Sequence, residues 1–65
     1  MKLKRKDVEN KVSELTKKYF ADRGHYIEGR CKECGENGLI LLVSCGQYTL
    51  RCYYNPEHEN DSGWV

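Results

Sequence analysis

Four cysteines and one histidine in the second half of the chain are the residues whose types and spacing predict metal binding. Cys31 and Cys34 are separated by two residues and are followed by Gly35. This spacing lets two thiolates bind one metal ion, and the glycine permits the tight turn behind them. A metal also suits a chain of 65 residues, because so small a core usually needs a metal, disulfides or a partner for stability.

The kind of metal depends on the compartment in which the chain folds. The basic N-terminus, residues 1–7, is not followed by the apolar run of a signal peptide, and no stretch of ~20 apolar residues could span a membrane. These observations predict an intracellular, cytoplasmic protein without membrane contact, in which cysteines stay reduced. Reduced cysteine and histidine ligands favour tetrahedral Zn²⁺, so we expect one structural zinc ion.

Two sets of ligands could complete this site. One set contains all four cysteines, and the other replaces Cys45 with His58. A strand rises ~3.3 Å per residue, so six steps from Leu39 carry Cys45 about 20 Å from the first pair, whereas Cys52 returns along the partner strand. An Asn-Pro turn after Cys52 can bring His58 back beside it. We therefore favour the second set, which consists of Cys31, Cys34, Cys52 and His58, with Cys45 free at the hairpin tip.

A β-hairpin is the element that must place Cys52 next to the first pair. Two runs rich in branched and aromatic residues, 39–43 and 48–54, flank the turn residues Cys45 and Gly46. The turn could be Cys45-Gly46 or Gly46-Gln47, and both registers give the same two faces. One face then carries Leu39, Leu41, Val43, Tyr48, Leu50 and Cys52, and the other carries Ile40, Leu42, Thr49 and Arg51.

An amphipathic helix is predicted before the metal-binding half. Asp7 can cap its start and Gly24 can end it, so the helix is expected over residues 6–23. Apolar residues recur at spacings of four, three and four, which places them on one face of a helix. Three turns are short for a coiled coil, so this stripe is expected to cover the hairpin. Its members are Val8, Val12, Leu15 and Tyr19.

The order of a cysteine knuckle, a hairpin and a second knuckle resembles that of the zinc-ribbon folds. More narrowly, residues 31–58 resemble the small zinc modules at the C-terminus of bacterial type I DNA topoisomerases. The chain departs from their pattern at His58, where those modules usually have cysteine, and by one additional residue between Tyr48 and Cys52. A looser likeness, through the double knuckle and Trp64, is to phage late-gene activators. The residues that match the topoisomerase modules are Cys31, Cys34, Gly35, Gly46, Tyr48, Cys52, Pro56 and His58.

These elements and this resemblance together predict a small metal-stabilised α+β fold, with an N-terminal helix packed on a zinc-ribbon β-hairpin. We expect a single folded unit, in which His25 is a linker or surface residue and does not bind the metal. Its parts are a basic amphipathic helix at 1–24, a linker at 25–30, the zinc ribbon at 31–58 and a C-terminal tail at 59–65.

The charge of the chain is unevenly distributed between its two halves. Residues 1–24 carry eight Lys or Arg against four Asp or Glu, a net +4, whereas residues 25–65 carry three against six, a net −3. A Zn²⁺ ion with three thiolates adds a further negative charge to the second half. Any attraction to nucleic acid must therefore come mainly from the first half.

The resemblance implies binding of single-stranded DNA, because topoisomerase modules of this type bind it. Aromatic side chains that stack on bases and cations that meet phosphates are both present. The alternative is a protein-interaction adaptor or regulator that contacts an enzyme of nucleic-acid metabolism. No side chain lies in a recognisable catalytic motif, so we expect neither enzymatic activity nor a small-molecule substrate. The predicted nucleic-acid contacts are Lys4, Arg5, Lys6, Arg30, Lys32, Tyr48, Arg51, Tyr53, Tyr54 and Trp64.

Overall fold

The computed structural model describes residues 4–64, which form one helix and one four-stranded antiparallel sheet. Lys2 of the basic N-terminus and Val65 of the predicted tail lie outside the described residues. The strand order β1-β2-β3-β4 means that every strand pairs with its neighbours in the chain. The small α+β class predicted from the sequence is confirmed. The elements are α1 (Arg5–Lys18), β1 (Arg23–Arg30), β2 (Asn37–Ser44), β3 (Gln47–Cys52) and β4 (Glu59–Trp64).

Helix α1 is shorter than predicted, because the chain leaves it at Phe20 rather than at Gly24. Phe20 adopts a left-handed backbone with φ of 54°. The Phe20 amide donates to the carbonyl of Lys17 at 3.3 Å and the Ala21 amide to that of Thr16 at 2.8 Å, the pair of bonds that defines a Schellman motif. At the other end Lys4 is the N-cap residue and makes no side-chain cap. The prediction that Asp7 caps the helix is therefore wrong, although its charge in the first turn favours the helix dipole.

Strands β1 and β4 occupy segments that the sequence did not predict as strands. Residues 25–30, the expected linker, belong to β1, and residues 59–64 of the expected tail form β4. An isolated two-stranded hairpin would leave both of its edges unpaired and would be marginally stable. Here β1 pairs with β2 and β4 pairs with β3, so the two added strands complete the hydrogen bonding of the central hairpin.

The central hairpin has the turn Cys45-Gly46. Both residues are left-handed, with φ of 51° and 78°, and Ser44 pairs with Gln47 across them. Two left-handed residues in a two-residue loop are the conformation of a type I′ turn, whose twist matches that of the strands. Opposed pairs such as Leu41 with Leu50 confirm the predicted division of the hairpin into two faces.

The helix covers one face of the sheet, and the core lies between them. Leu15 of α1 is buried against Ile40 and Leu42 of β2, so the predicted apolar stripe is part of the core. The helix contacts β1 and β2 and lies close to the backbone of β1 at Gly24, where an added Cβ would lie 2.9 Å from Thr16 Oγ1. The residues packed around this core include Val8, Val12, Tyr19, Ala21, Tyr26 and Tyr53.

Candidate metal centre

Four side chains converge at one end of the sheet, which we call the metal end. All four ligand atoms lie within 4.8 Å of one another. Two of the contacts, Sγ to Nδ1 and Sγ to Sγ, are each 3.6 Å long. A tetrahedral ion with bonds of ~2.0–2.3 Å holds its ligand atoms about 3.5–3.8 Å apart, so this cluster could hold one metal ion. Its members, which we call the metal cluster, are Cys31, Cys34, Cys52 and His58.

The first knuckle, residues 31–35, joins the end of β1 to the start of β2. The Gly35 amide donates to the Cys31 carbonyl at 2.9 Å, and Gly35 has a left-handed φ of 75°. Arg30 Nη1 donates to the Gly35 carbonyl at 3.0 Å. The glycine that the sequence pattern singled out therefore makes the turn that points two sulfurs in one direction.

The second knuckle begins at Cys52, the last residue of β3. The chain reverses through an Asn55-Pro56 turn, in which the His58 amide donates to the Asn55 carbonyl at 2.9 Å. The Cys52 amide in turn donates to the His58 carbonyl at 3.1 Å, and the Asn55 amide donates to Cys52 Sγ at 3.4 Å. These bonds bring His58 beside Cys52, as predicted.

The orientation of the His58 ring is set on its outer side by Asn55. Nδ1 of His58 faces Cys31 Sγ, whereas Nε2 lies 3.1 Å from the side-chain amide of Asn55. The side-chain oxygen of Asn55 accepts from the Glu57 amide at 3.2 Å, so the side-chain nitrogen Nδ2 is the atom that faces the ring. Asn55 therefore holds the turn of the second knuckle through its oxygen and contacts the outer edge of the His58 ring through its nitrogen.

Asn60 is a residue of the site that the sequence did not reveal. It is buried in β4, and its Oδ1 accepts from the Lys32 amide of the first knuckle at 2.7 Å. Its Nδ2 donates to Cys31 Sγ at 3.5 Å and to the carbonyl of His58 at 3.4 Å. One side chain thus ties both knuckles together. The register shifts at this point of the β3-β4 pair, which makes Asn60 the extra residue of a bulge.

The surroundings of the sulfurs shift the pKa values of Cys31 and Cys34 in opposite directions. Burial raises the pKa of Cys31, but hydrogen bonds from Asn60 and from nearby backbone amides lower it by more, so that the pKa falls from an ordinary 9.0 to about 6. At Cys34 the backbone hydrogen bond from Glu36 lowers the pKa, yet burial and the neighbouring sulfurs raise it more. Sulfurs this close resist joint ionisation unless a cation lies among them. The electrostatics of the cluster therefore favour a bound cation.

Cys45 lies apart from the metal cluster, at the opposite end of the sheet, which we call the tip end. Its thiol is free and exposed. Its backbone amide donates to Asp22 Oδ2 at 3.1 Å, and Ser44 Oγ donates to the Phe20 carbonyl at 3.2 Å. The hairpin tip is therefore attached to the segment that follows α1.

Two of the predicted nucleic-acid contacts have internal partners instead. Tyr53 is 8% exposed and belongs to the core. The guanidinium carbon of Arg51 lies 4.2 Å from the centre of the Tyr19 ring, and its Nη1 donates to the Pro56 carbonyl at 2.9 Å. Arg51 therefore fastens the second knuckle to the helix side of the sheet. Both side chains therefore make contacts within the fold.

The other predicted contacts occupy different parts of the molecule. Tyr48 is half-buried and donates to Asp61 Oδ2 at 3.3 Å on the sheet face opposite α1. Trp64 is 77% exposed and pairs with Gln47 at the tip end. The remaining predicted contacts lie in the first helical turns or around the knuckles, and all six are exposed: Lys4, Arg5, Lys6, Arg30, Lys32 and Tyr54.

Comparisons of the chain with protein-family models, with curated proteins and with solved structures find no match. Residues 4–64 contain no helix that is long and apolar enough to cross a membrane. The likeness to zinc ribbons therefore rests on the sequence pattern, and the structure adds a cluster that could hold a metal ion.

Proposed function

We propose that the metal cluster binds one structural Zn²⁺ and that the protein is a zinc-ribbon-like module that binds nucleic acid, with single-stranded DNA as the favoured partner. The metal part rests on the ligand types and on their separations. Three thiolates and one imidazole are typical of a closed structural zinc site, which needs no water or substrate as a fourth ligand. The cytoplasmic location expected from reduced cysteines belongs to the same proposal.

The observation that carries the nucleic-acid proposal is an exposed aromatic ring held beside a basic helix start. Tyr54 is 44% exposed, and its ring centre lies 5.0 Å from that of the buried Tyr53 in an edge-to-face contact. Tyr53 belongs to the core cluster against which Val8 of α1 packs, and burial and then the nearby Asp7 carboxylate raise its pKa, which places this ring near the first turn of the helix. A rigidly held tyrosine next to basic residues is the combination that sequence-independent binders of single strands use.

The charges at the metal end limit how strong this binding can be. The exposed basic residues proposed to meet phosphates are Lys4, Arg5, Lys6, Arg30 and Lys32. Of these, Arg5 is already paired through Nε with Glu9 Oε1 at 3.3 Å. This pair is exposed on both sides and contributes little. Five phosphate contacts at most would give a slope of about −3.5 for log K against log salt, since each contributes ~0.7 on single strands.

The test is a titration of zinc-loaded protein with fluorescently labelled oligothymidine over a salt series. We expect Tyr54→Ala to weaken binding about 10-fold, since stacking contributes ~1–3 kcal/mol per base. Lys6→Gln should reduce the salt slope by about 0.7, whereas Lys17→Gln, the same change at the far end of α1, should leave it unchanged. Absence of binding at low salt, or equal effects of the two lysine changes, would contradict the proposal.

A further inference from the structure

The face of the sheet opposite α1, which we call the open face, is covered by no element within residues 4–64. Paired residues in antiparallel strands project to the same side, so the register defines this face. Arg23 is aligned with Val43, Tyr48 and Gly63 across the four strands, and His25 is aligned with Leu41, Leu50 and Asp61. We define the open face by Arg23, His25, Leu41, Val43, Tyr48 and Asp61.

The middle of the open face is apolar and remains accessible. Leu41 and Val43 of β2 are only half-buried, and Ile27 of β1 is 38% exposed. A shallow cavity of about 410 Å³ lies here, lined by residues of β1, β2 and β3. On the helix side, in contrast, the part of the sheet that α1 leaves uncovered carries the polar residues Thr49 and Arg51. An uncovered apolar face on one side only is typical of an interaction surface.

The two edges of the open face carry charges of opposite sign. The positive charge is that of Arg23, which lies on β1 at one edge beside His25, and both residues are exposed. Asp61 lies on β4, at the other edge, where its carboxylate is exposed and accepts from the Tyr48 hydroxyl at 3.3 Å. Across the open face, from β1 to β4, the strands therefore carry a positive charge, two apolar stretches and a negative charge.

We propose that the open face is the interface of a two-fold homodimer. A two-fold axis that runs along the strands places β1 of one copy over β4 of the other, so that each positive edge meets a negative edge and the apolar strands meet in the middle. A two-fold interface uses the same patch on both subunits, so the patch must be complementary to itself, as the open face is under this rotation. Two sheets pack aligned in this way at a distance of ~10 Å, with a rotation of ~30°.

The occupant is a second copy because the charge pattern matches the chain itself. A face with one sign of charge would favour a partner of the opposite sign, whereas here both signs lie on one sheet in the positions that the rotation exchanges. Four strands spaced ~4.8 Å apart give a face about 20 Å wide and about 20 Å long. Its area is below the ~800 Å² per partner of standard interfaces, so association should be weak and depend on concentration.

The test is sedimentation equilibrium of the zinc-loaded protein from about 10 µM to about 1 mM, the range expected for a small interface. The mass should rise toward twice that of the monomer. Arg23→Asp and Asp61→Arg should each remove most of this association, because like charges then face each other. Mixing the two variants should restore it, since the altered edges become complementary. The double variant Arg23→Asp with Asp61→Arg should also associate.

Both altered residues are exposed, so the variants should keep one zinc per chain and an unchanged circular dichroism spectrum. Lys17→Asp, a similar charge change on α1, should leave association unaffected. A monomer throughout the concentration range would overturn the proposal and would leave the open face to a different protein, as in the alternative of an interaction adaptor. A dimer that tolerates both single reversals, or variants that do not associate when mixed, would also overturn it.

Discussion

The metal end and the tip end of the sheet both turn the chain at a cysteine, but they hold those turns in different ways. At the metal end, Cys31 and Cys52 are buried, and each backbone amide donates to a carbonyl at the far side of its own loop, that of Glu36 and that of His58. At the tip end, Cys45 is exposed and left-handed, and the turn is held by its own conformation and by Asp22. The role of a cysteine here follows from its position along the hairpin, and the count of cysteines alone does not reveal it.

The largest expected difference between the two ends is the effect of removing one sulfur. Cys52→Ser, or chelation of the metal, should unfold the sheet, because structural zinc contributes on the order of 10 kcal/mol and total stabilities are only ~5–15 kcal/mol. Cys45→Ser is the matched control and should keep the fold and one zinc per chain. Circular dichroism and zinc stoichiometry measure both outcomes. Retention of zinc by the Cys52→Ser variant would show that the metal end is not held as described.

A smaller loss is expected at Asn60, which supports the metal end without belonging to the ligand set. Asn60→Ala removes its bonds to the Lys32 amide and to Cys31 Sγ. Leaving these groups unsatisfied should cost about 1–3 kcal/mol in unfolding free energy and about 10–100-fold in metal affinity. Asn10→Ala, on the exposed side of α1, is the control. Competition with a zinc-binding dye measures the affinity, and equal affinities for the two variants would exclude a supporting role for Asn60.

A modest gain is expected beside the tip end, at the C-terminus of α1. Phe20 is left-handed and 87% exposed, so Phe20→Gly removes backbone strain and gives up little burial. We expect a gain of about 0.5–1 kcal/mol in urea unfolding of the zinc-loaded protein, the amount gained when a left-handed position receives glycine. Lower stability of the glycine variant would mean that the Phe20 side chain makes a stabilising contact despite its exposure.

The smallest expected effect is at Cys45. Asn-Gly is the preferred pair for a type I′ turn, so Cys45→Asn should raise the unfolding free energy by a few tenths of a kcal/mol, about 0.3–0.5. The same variant should keep one zinc per chain. Thermal unfolding of the zinc-loaded variant tests both statements, and any loss of zinc would bring Cys45 back as a ligand.

The sequence was sufficient to predict the residues of the metal cluster, because their positions follow from short-range spacing along the chain. The Cys31-x-x-Cys34-Gly35 turn is a short-range feature, and the distance along a strand separates Cys45 from Cys52. The faces of the hairpin followed from the period of two in a strand, whichever turn was chosen.

The outer strands were not predictable in the same way. Residues 23–30 of β1 and 59–64 of β4 contain few apolar residues and no strict alternation, and they form strands because the central hairpin offers two unpaired edges. Without β4, nothing in the sequence places Asn60 beside Cys31. Tyr53 and Tyr54 are neighbours in the chain, yet only the tertiary fold decides that one ring enters the core and the other stays exposed.

The metal cluster is proposed to bind one zinc ion through three sulfurs and one histidine nitrogen. X-ray absorption at the zinc edge of the loaded protein measures the donor atoms directly. We expect three sulfurs at ~2.3 Å and one nitrogen at ~2.0–2.1 Å, and a spectrum that Cys45→Ser leaves unchanged. A shell of four sulfurs that loses one in the Cys45→Ser variant would contradict this ligand set.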